Sequence, residues 1–113
     1  MLPDTSNWKP EAPELAQKDF QSLWVLVHFW APWNLVDRDA SDRLANLEVP
    51  NGVLIRSCNI DSGTNLEYVR RAQIANVPTL ALFFRGDLVS VLVGLRTNAS
   101  VNEWVQQHIR GSI

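Results

Sequence analysis

Few side chains in this chain could perform covalent or metal chemistry. The sequence contains one cysteine, Cys58, and two histidines, His28 and His108. A single thiol cannot close an intrachain disulfide, and thiolate zinc or iron–sulfur sites need several cysteines. The two histidines lie far apart, and His28 falls inside an apolar segment. The sequence therefore predicts no metal site and no cofactor.

Cys58 leaves two interpretations open. A free cysteine packs as a small hydrophobic residue, and burial raises the pKa of its thiol. Cys58 lies in an apolar segment, so we interpret it as an inert core thiol. The alternative is a reactive cysteine, or one that forms a disulfide with a partner, and that alternative requires an exposed side chain.

Three acids, Asp37, Asp39 and Asp42, lie close together in the sequence. A calcium-binding loop needs a longer alternation of ligands with a glycine in the middle. We therefore interpret these carboxylates as solvated side chains that point outward at the start of a helix. An acidic rim of this kind would disfavour anionic partners.

The strands and helices that carry these residues are predicted from the periodicity of the apolar residues. Residues 23–30 are apolar on both faces, which predicts a central, buried strand. Residues 34–48 are predicted to form a helix. The further predictions are a strand at 53–60, a helix at 64–75, an antiparallel hairpin of 80–84 and 88–93, and a last helix capped by Thr97 or Asn98. The residues expected to pack inward are Leu35, Ala40, Leu44 and Leu47 in the first of these helices and Leu66, Val69 and Ile74 in the second.

The start of the chain is less regular. Residues 1–10 are predicted to be an N-terminal extension or a weak edge strand. Residues 11–21 are predicted to form a helix, because Pro13 is tolerated in a first turn and acids favour a helix N-terminus. Residues 11–113 would then form a single domain, which the length of 113 residues supports.

Composition narrows the class of protein. Hydrophobic residues make up 46% and charged residues 19% of the chain, which is ordinary for a globular domain. The net charge is −2 and there is no basic stripe, so we expect no nucleic-acid partner. The longest apolar run is too short to span a bilayer, and residues 1–4 lack the features of a secretory signal. We therefore expect no membrane association and a cytoplasmic location.

Five short motifs occur in an order and spacing that resemble the thioredoxin family over residues 11–110. The most specific are Phe29-Trp30-Ala31-Pro32-Trp33 at the end of the central strand and Val77-Pro78-Thr79 before the hairpin. The others are Asn59-Ile60-Asp61, Phe83-Phe84-Arg85-Gly86-Asp87 and Val93-Gly94. The resemblance implies a thioredoxin fold, an α/β architecture with a mixed four- or five-stranded sheet and helices on both faces. It also implies a cis Val77–Pro78 bond.

In the family, the motif that ends in Trp33 is followed by Cys-Gly-Pro-Cys, and here Asn34 and Asp37 stand at the two cysteine positions. We interpret Asn34 as a helix N-cap, and Asp37 as a first-turn carboxylate that reaches back to the cap. His28 stands where the family usually has a buried Asp that moves a thiol proton. We interpret it as a buried neutral histidine satisfied by one or two hydrogen bonds.

The resemblance therefore implies a chain that keeps the backbone around the family's redox site but lacks both of its cysteines. The predicted function is a redox-inactive protein-binding or adaptor module that docks a protein or an extended peptide near Trp33, Val77, Pro78 and Gly94. A partial similarity to the leading thioredoxin-like domain of multidomain monothiol glutaredoxins favours docking as well. The alternatives are an oxidoreductase that uses Cys58, alone or with a partner's cysteine, and a purely structural role.

Overall fold

The computed structural model describes residues 8–111 and contains one mixed β-sheet. Its strands are β1 (Trp24–Trp30), β2 (Val53–Asn59), β3 (Thr79–Phe84) and β4 (Asp87–Val93), in the spatial order β2-β1-β3-β4. β1 pairs with β2 in parallel and with β3 antiparallel, and β3 pairs with β4 antiparallel. The predicted thioredoxin fold is confirmed, with four strands in the described part of the chain.

Helices cover both faces of the sheet. They are α1 (Val36–Ala45), α2 (Leu66–Arg71) and α3 (Asn98–Gly111), with 3₁₀ turns at Gln17–Gln21 and Gly63–Asn65. One face packs against α1 and α3 through Leu44, Val101 and Val105. The other packs against the first 3₁₀ turn through Phe20 and against α2 through Tyr68 and Val69, with Ala72 buried directly after the helix. Among residues 8–111, no helix has the length and apolar character needed to cross a bilayer.

The central strand forms because its sequence is apolar on both faces. All seven residues of β1 are buried, as predicted, since α1 and α3 cover one face and α2 covers the other. The hairpin of β3 and β4 is also confirmed. Its turn places Arg85 and Gly86 at positive φ values of 51° and 86°, a region that glycine adopts readily and other residues only uncommonly.

The start of the described chain differs from the predicted helix at 11–21. Leu15 N–H donates to Ser57 O at 2.7 Å, and Ser57 N–H donates to Pro13 O at 2.8 Å, so this segment pairs with the edge of β2 as an isolated bridge. Only Gln17–Gln21 turns, as a 3₁₀ helix. The predicted edge strand at 1–10 lies mostly outside the described residues, and residues 8–10 form no strand.

Two helices are shorter than predicted, and each exposes a leucine expected to be buried. α2 ends at Arg71 because Gln73 takes a left-handed conformation with φ of 54°. Leu66 is half-exposed, and Ala72 is buried instead. Leu35 comes just before α1 and is 63% exposed, although Ala40 and Leu44 of the same predicted stripe are buried.

Candidate functional site

The candidate site lies where the loop after β1 enters α1. This loop, residues 31–35, faces the segment that precedes β3, where the Val77–Pro78 peptide bond is cis, as predicted. The two segments are joined directly, because the Asn34 side chain donates a hydrogen bond to Val77 O at 2.9 Å. The positions that the resemblance assigned to the two cysteines therefore stand at the N-terminal end of α1, beside the cis-proline segment.

Asn34 fills the first of these positions and makes two hydrogen bonds. Its Oδ1 accepts the backbone N–H of Val36 at 2.9 Å, and its Nδ2 is bonded to Val77 O. Leu35, directly before α1, already has helical dihedral angles and contributes no side-chain hydrogen bond to the helix end. The side chain that accepts a first-turn N–H is that of Asn34, which supports the capping role predicted for it. The link to Val77, 43 residues away in sequence, was not predicted.

Asp37 fills the second position and is completely buried, with 0% exposure. Its Oδ1 accepts a hydrogen bond from His28 Nε2 at 2.9 Å, and its Oδ2 accepts one from the backbone N–H of Ala31 at 3.0 Å. The predictions of an outward-pointing side chain and of a bond back to the cap were wrong. The helical face that carries Asp37 is the face that packs on the sheet, and His28 provides the partner that a carboxylate needs there.

His28 is buried on β1, with 1% of its surface exposed, as predicted. Only one of its two ring nitrogens is satisfied within the described residues. Nε2 bonds to Asp37, while Nδ1 is buried and has no hydrogen-bond partner. An ionised carboxylate can only accept hydrogen bonds, so Nε2 is the donor in this pair.

Cys58 lies on β2 opposite Phe29 of β1, and 1% of its surface is exposed. Burial, and in second place the nearby Glu14 carboxylate, raises the pKa of the Cys58 thiol from its ordinary value of 9.0 to about 12. Since the thiolate is the reactive form, the thiol is unreactive at neutral pH. The interpretation as a core thiol is supported.

Three apolar residues next to Asn34 in the sequence have exposed side chains. Trp33 and Leu35 are each 63% exposed and Val36 is 43% exposed, and we call these three residues the apolar patch. Trp33 was a predicted docking residue, whereas Leu35 and Val36 were missed. A periodic pattern assigns residues to a helix face, but it does not show that α1 begins only at Val36, two residues later than predicted.

The other predicted docking residues lie deeper. Val77 and Gly94 are half-buried and Pro78 is buried. The carbonyl groups of this segment already have partners within the chain. Besides the Asn34–Val77 bond, Gly94 N–H donates to Pro78 O at 2.8 Å, and Thr79 Oγ1 donates to Asn76 O at 2.7 Å.

The chemistry open to this site follows from its side chains. Thiol–disulfide exchange requires a thiolate that attacks a disulfide, and neither Asn34 nor Asp37 carries sulfur. The one thiol, Cys58, is buried in the core. Within residues 8–111, no three His, Cys, Asp or Glu side chains are grouped closely enough to hold a metal ion.

Comparison with known proteins agrees with the fold. The chain is 28% identical to thioredoxin from Bacillus subtilis (strain 168) over 85 residues, 75% of this chain and 82% of that protein. It is 32% identical to thioredoxin from Rickettsia bellii (strain RML369-C) over 89 residues, 77% of this chain and 83% of that protein.

Two solved structures share the architecture. An N21Q mutant thioredoxin from Halobacterium salinarum NRC-1 superposes with a TM-score of 0.69 at 20% identity, over 89% of this chain and 94% of that one. Human ERp44 form II superposes with a TM-score of 0.70 at 19% identity over 95% of this chain, which spans 32% of the ERp44 chain. Residues 12–107 match the family model described as Thioredoxin. The chain therefore belongs to the thioredoxin family.

Proposed function

We propose that this chain is a redox-inactive, thioredoxin-like protein-binding or adaptor module. The observation that carries the proposal is the pair of side chains at the former cysteine positions. Asn34 and Asp37 have no sulfur, and both are held in hydrogen bonds that keep the end of β1, α1 and the cis-proline segment together. The scaffold of the site is thus maintained by polar contacts that serve no thiol chemistry.

The apolar patch of Trp33, Leu35 and Val36 is the proposed docking surface. Exposed tryptophan and aliphatic side chains grouped at one place are typical of protein-binding surfaces, where aromatic residues contribute most to affinity. The proposed partner is a protein that presents an apolar, extended segment. The acids Asp39 and Asp42 are exposed on α1 nearby, which disfavours an anionic segment.

In this proposal, side-chain contacts with the apolar patch contribute more to the affinity for the partner than main-chain hydrogen bonds do. An extended partner segment that approached Val77 would find its carbonyl oxygen already bonded to Asn34. A carbonyl can accept two hydrogen bonds, and Asn34 already takes one of these two places. The partner would therefore gain most of its affinity from the apolar patch and less from strand pairing beside Pro78.

Thiol–disulfide exchange through Cys58 is the second candidate function, either alone or with a partner's cysteine. Its burial and its raised pKa both act against it. We also propose a cytoplasmic location, where a lone reduced cysteine is usual.

The test is a capture experiment with four immobilised baits in an extract of the source cell, read by quantitative mass spectrometry. The baits are the wild-type chain and its Trp33→Ala, Leu66→Ala and Cys58→Ala variants. Leu66 is the matched control, because it is a half-exposed apolar residue of α2, on the opposite face of the sheet from α1. Cys58→Ala removes any mixed disulfide.

The expected result is a partner captured equally by the wild-type, Leu66→Ala and Cys58→Ala baits and at least tenfold less by Trp33→Ala, a loss typical of a truncated aromatic hot spot. A partner lost with Cys58→Ala would support the redox candidate instead. Equal capture by Trp33→Ala, or no capture above bare beads, would refute docking at the apolar patch.

A further inference from the structure

β4 is the outer strand of the sheet on the side away from β2, and among residues 8–111 its far edge pairs with no other strand. The opposite edge of the sheet is partly covered, because Leu15 N–H donates to Ser57 O and Ser57 N–H donates to Pro13 O. An uncovered edge presents unpaired N–H and C=O groups that can pair with another strand. The edge of β4 is therefore a place where a further strand can extend the sheet.

The backbone groups that face the open edge follow from the pairing of β4 with β3. Gly94 N–H donates to Pro78 O at 2.8 Å, and bonded positions alternate along an antiparallel pair. Leu92 therefore bonds to β3, whereas Val91 and Val93 direct their N–H and C=O groups away from β3. These groups are available to a strand that lies beside β4.

The side chains beside this open edge are apolar and exposed. Val91 pairs with Ala81, which belongs to the core on the α2 face, so Val91 and Val93 point toward that face of the sheet. The helix does not cover them, because they are 41% and 46% exposed. β4 also contains no Lys, Arg or Pro, residues that protect many exposed edges from pairing. An edge of this composition favours pairing with another apolar strand.

The charges near the two ends of β4 favour a second copy of this chain as that strand. Asp87 begins β4 and is exposed, and the exposed Arg96 lies near its other end, where Arg96 Nε donates to Val93 O at 3.1 Å. Antiparallel copies bring Asp87 of each chain toward Arg96 of the other, whereas parallel copies would bring like charges together. The other charge of the turn, Arg85, lies 5.4 Å from the centre of the Phe84 ring in its own chain.

We propose that two copies of this chain associate by antiparallel pairing of their β4 strands, with Val91 of each copy opposite Val93 of the other. The register shift at Val89 leaves residues 90–93 as the regular part of the strand. In this register each pair of Val91 and Val93 exchanges two N–H···O bonds, because Val93 O retains a second acceptor place beside Arg96. The valines of both copies then cover one another on the α2 face. No residue of the apolar patch lies in β4, so the inference does not depend on the proposed function.

The interface is small, so the dimer is expected to be weak. Short strand segments and a few half-exposed side chains bury less than the about 1,200 Å² at which standard interfaces begin. We therefore expect a dissociation constant of about 0.1–1 mM.

The first test is sedimentation equilibrium at chain concentrations from about 0.05 mM to about 1 mM. The apparent mass of the wild-type chain should rise with concentration from near 12.8 kDa toward twice that value. Val91→Lys places a charge at the open edge and should raise the dissociation constant at least about tenfold. Val36→Lys is the matched control, because it makes the same change at a valine of similar exposure, 43% against 41%, on α1. It should leave self-association unchanged.

Hydrogen exchange of backbone amides tests the strand pairing itself. In the wild-type chain, the N–H groups of Val91 and Val93 should exchange about twofold more slowly at about 1 mM than at about 0.05 mM, because pairing engages them. The N–H of Gly52, in the exposed turn before β2, should exchange at the same rate at both concentrations. This comparison needs no variant, so it decides the matter even if Val91→Lys does not fold.

Three results would overturn the proposal. A mass that stays at 12.8 kDa up to about 1 mM would refute a second copy as the pairing strand and favour a strand of another protein. Self-association with unchanged exchange at Val91 and Val93 would refute pairing through β4. Equal weakening by Val91→Lys and Val36→Lys would place the contact elsewhere.

Discussion

Replacing Asp37 with alanine should destabilise the chain far more than the loss of a helix-capping carboxylate would. The Asp37 side chain is fully buried and accepts hydrogen bonds from His28 Nε2 at 2.9 Å and from Ala31 N–H at 3.0 Å. Alanine would leave both donors buried without an acceptor. Leaving a buried donor without an acceptor costs about 1–3 kcal/mol, so the loss of both bonds should cost about 2–6 kcal/mol. An exposed first-turn carboxylate contributes about 0.3–1 kcal/mol.

The assay is equilibrium unfolding in urea, followed by tryptophan fluorescence. With an m-value of about 1–3 kcal/mol/M, the urea midpoint of Asp37→Ala should fall by at least about 0.7 M. A loss of this size is a large part of the about 5–15 kcal/mol that stabilises a typical domain. The matched control is Asp39→Ala, which removes an exposed carboxylate from the same first turn and should cost no more than about 1 kcal/mol.

A double mutant separates the pair from the helix. Once Asp37→Ala has removed the acceptor, the further change His28→Leu should cost much less than His28→Leu does alone, because the two residues share one interaction. Additive losses, or an Asp37→Ala variant as stable as Asp39→Ala, would refute the buried pair.

Three further predictions concern Asn34 and Cys58. Asn34→Ala should lower the free energy of unfolding by about 1–2 kcal/mol, since it removes both the helix cap and the bond to Val77 O; an unchanged urea midpoint would contradict those contacts. At pH 8, Cys58 should react with a thiol reagent on the order of a thousandfold more slowly in the folded chain than in the unfolded chain. The reason is that folding raises the pKa of its thiol from 9.0 to about 12. Fast labelling without denaturant would instead show an accessible thiolate. Between pH 9 and 12 the Cys58 thiol is deprotonated in the unfolded chain but stays protonated in the folded chain. The free energy of unfolding of the wild-type chain should therefore fall with rising pH by up to about 1.4 kcal/mol per pH unit more than that of Cys58→Ala. Parallel pH profiles of the two proteins would argue against the raised pKa.

The parts of the fold that could be predicted are those where local pattern and tertiary structure agree. β1 is apolar on both faces and lies in the centre of the sheet, and the β3–β4 hairpin turns at Arg85 and Gly86, which take positive φ angles. The predicted helix at 11–21 failed because the backbone of Pro13 and Leu15 pairs with Ser57, more than forty residues away. A local helical signal cannot include that competing contact.

The site was predicted in outline and missed in detail for the same reason. Periodicity placed Asp37 outward because acids are usually solvated, but it lies opposite His28, and a buried carboxylate is stable only with such a partner. The bond from Asn34 to Val77 joins two segments that no sequence pattern connects. Leu35 was assigned to the core because a sequence pattern locates the start of a helix only to within about two residues, and α1 begins after Leu35.

The most direct test of the proposed redox inactivity is the reduction of insulin by dithiothreitol, followed as turbidity. The wild-type chain should match the control without protein, because neither Asn34 nor Asp37 carries a thiol and Cys58 is buried. Asn34→Cys/Asp37→Cys is the positive control, in which weak activity is expected alongside a loss of stability from breaking the Asp37–His28 pair. Clear acceleration by the wild-type chain that disappears in Cys58→Ala would contradict the proposal and make Cys58 the reactive group.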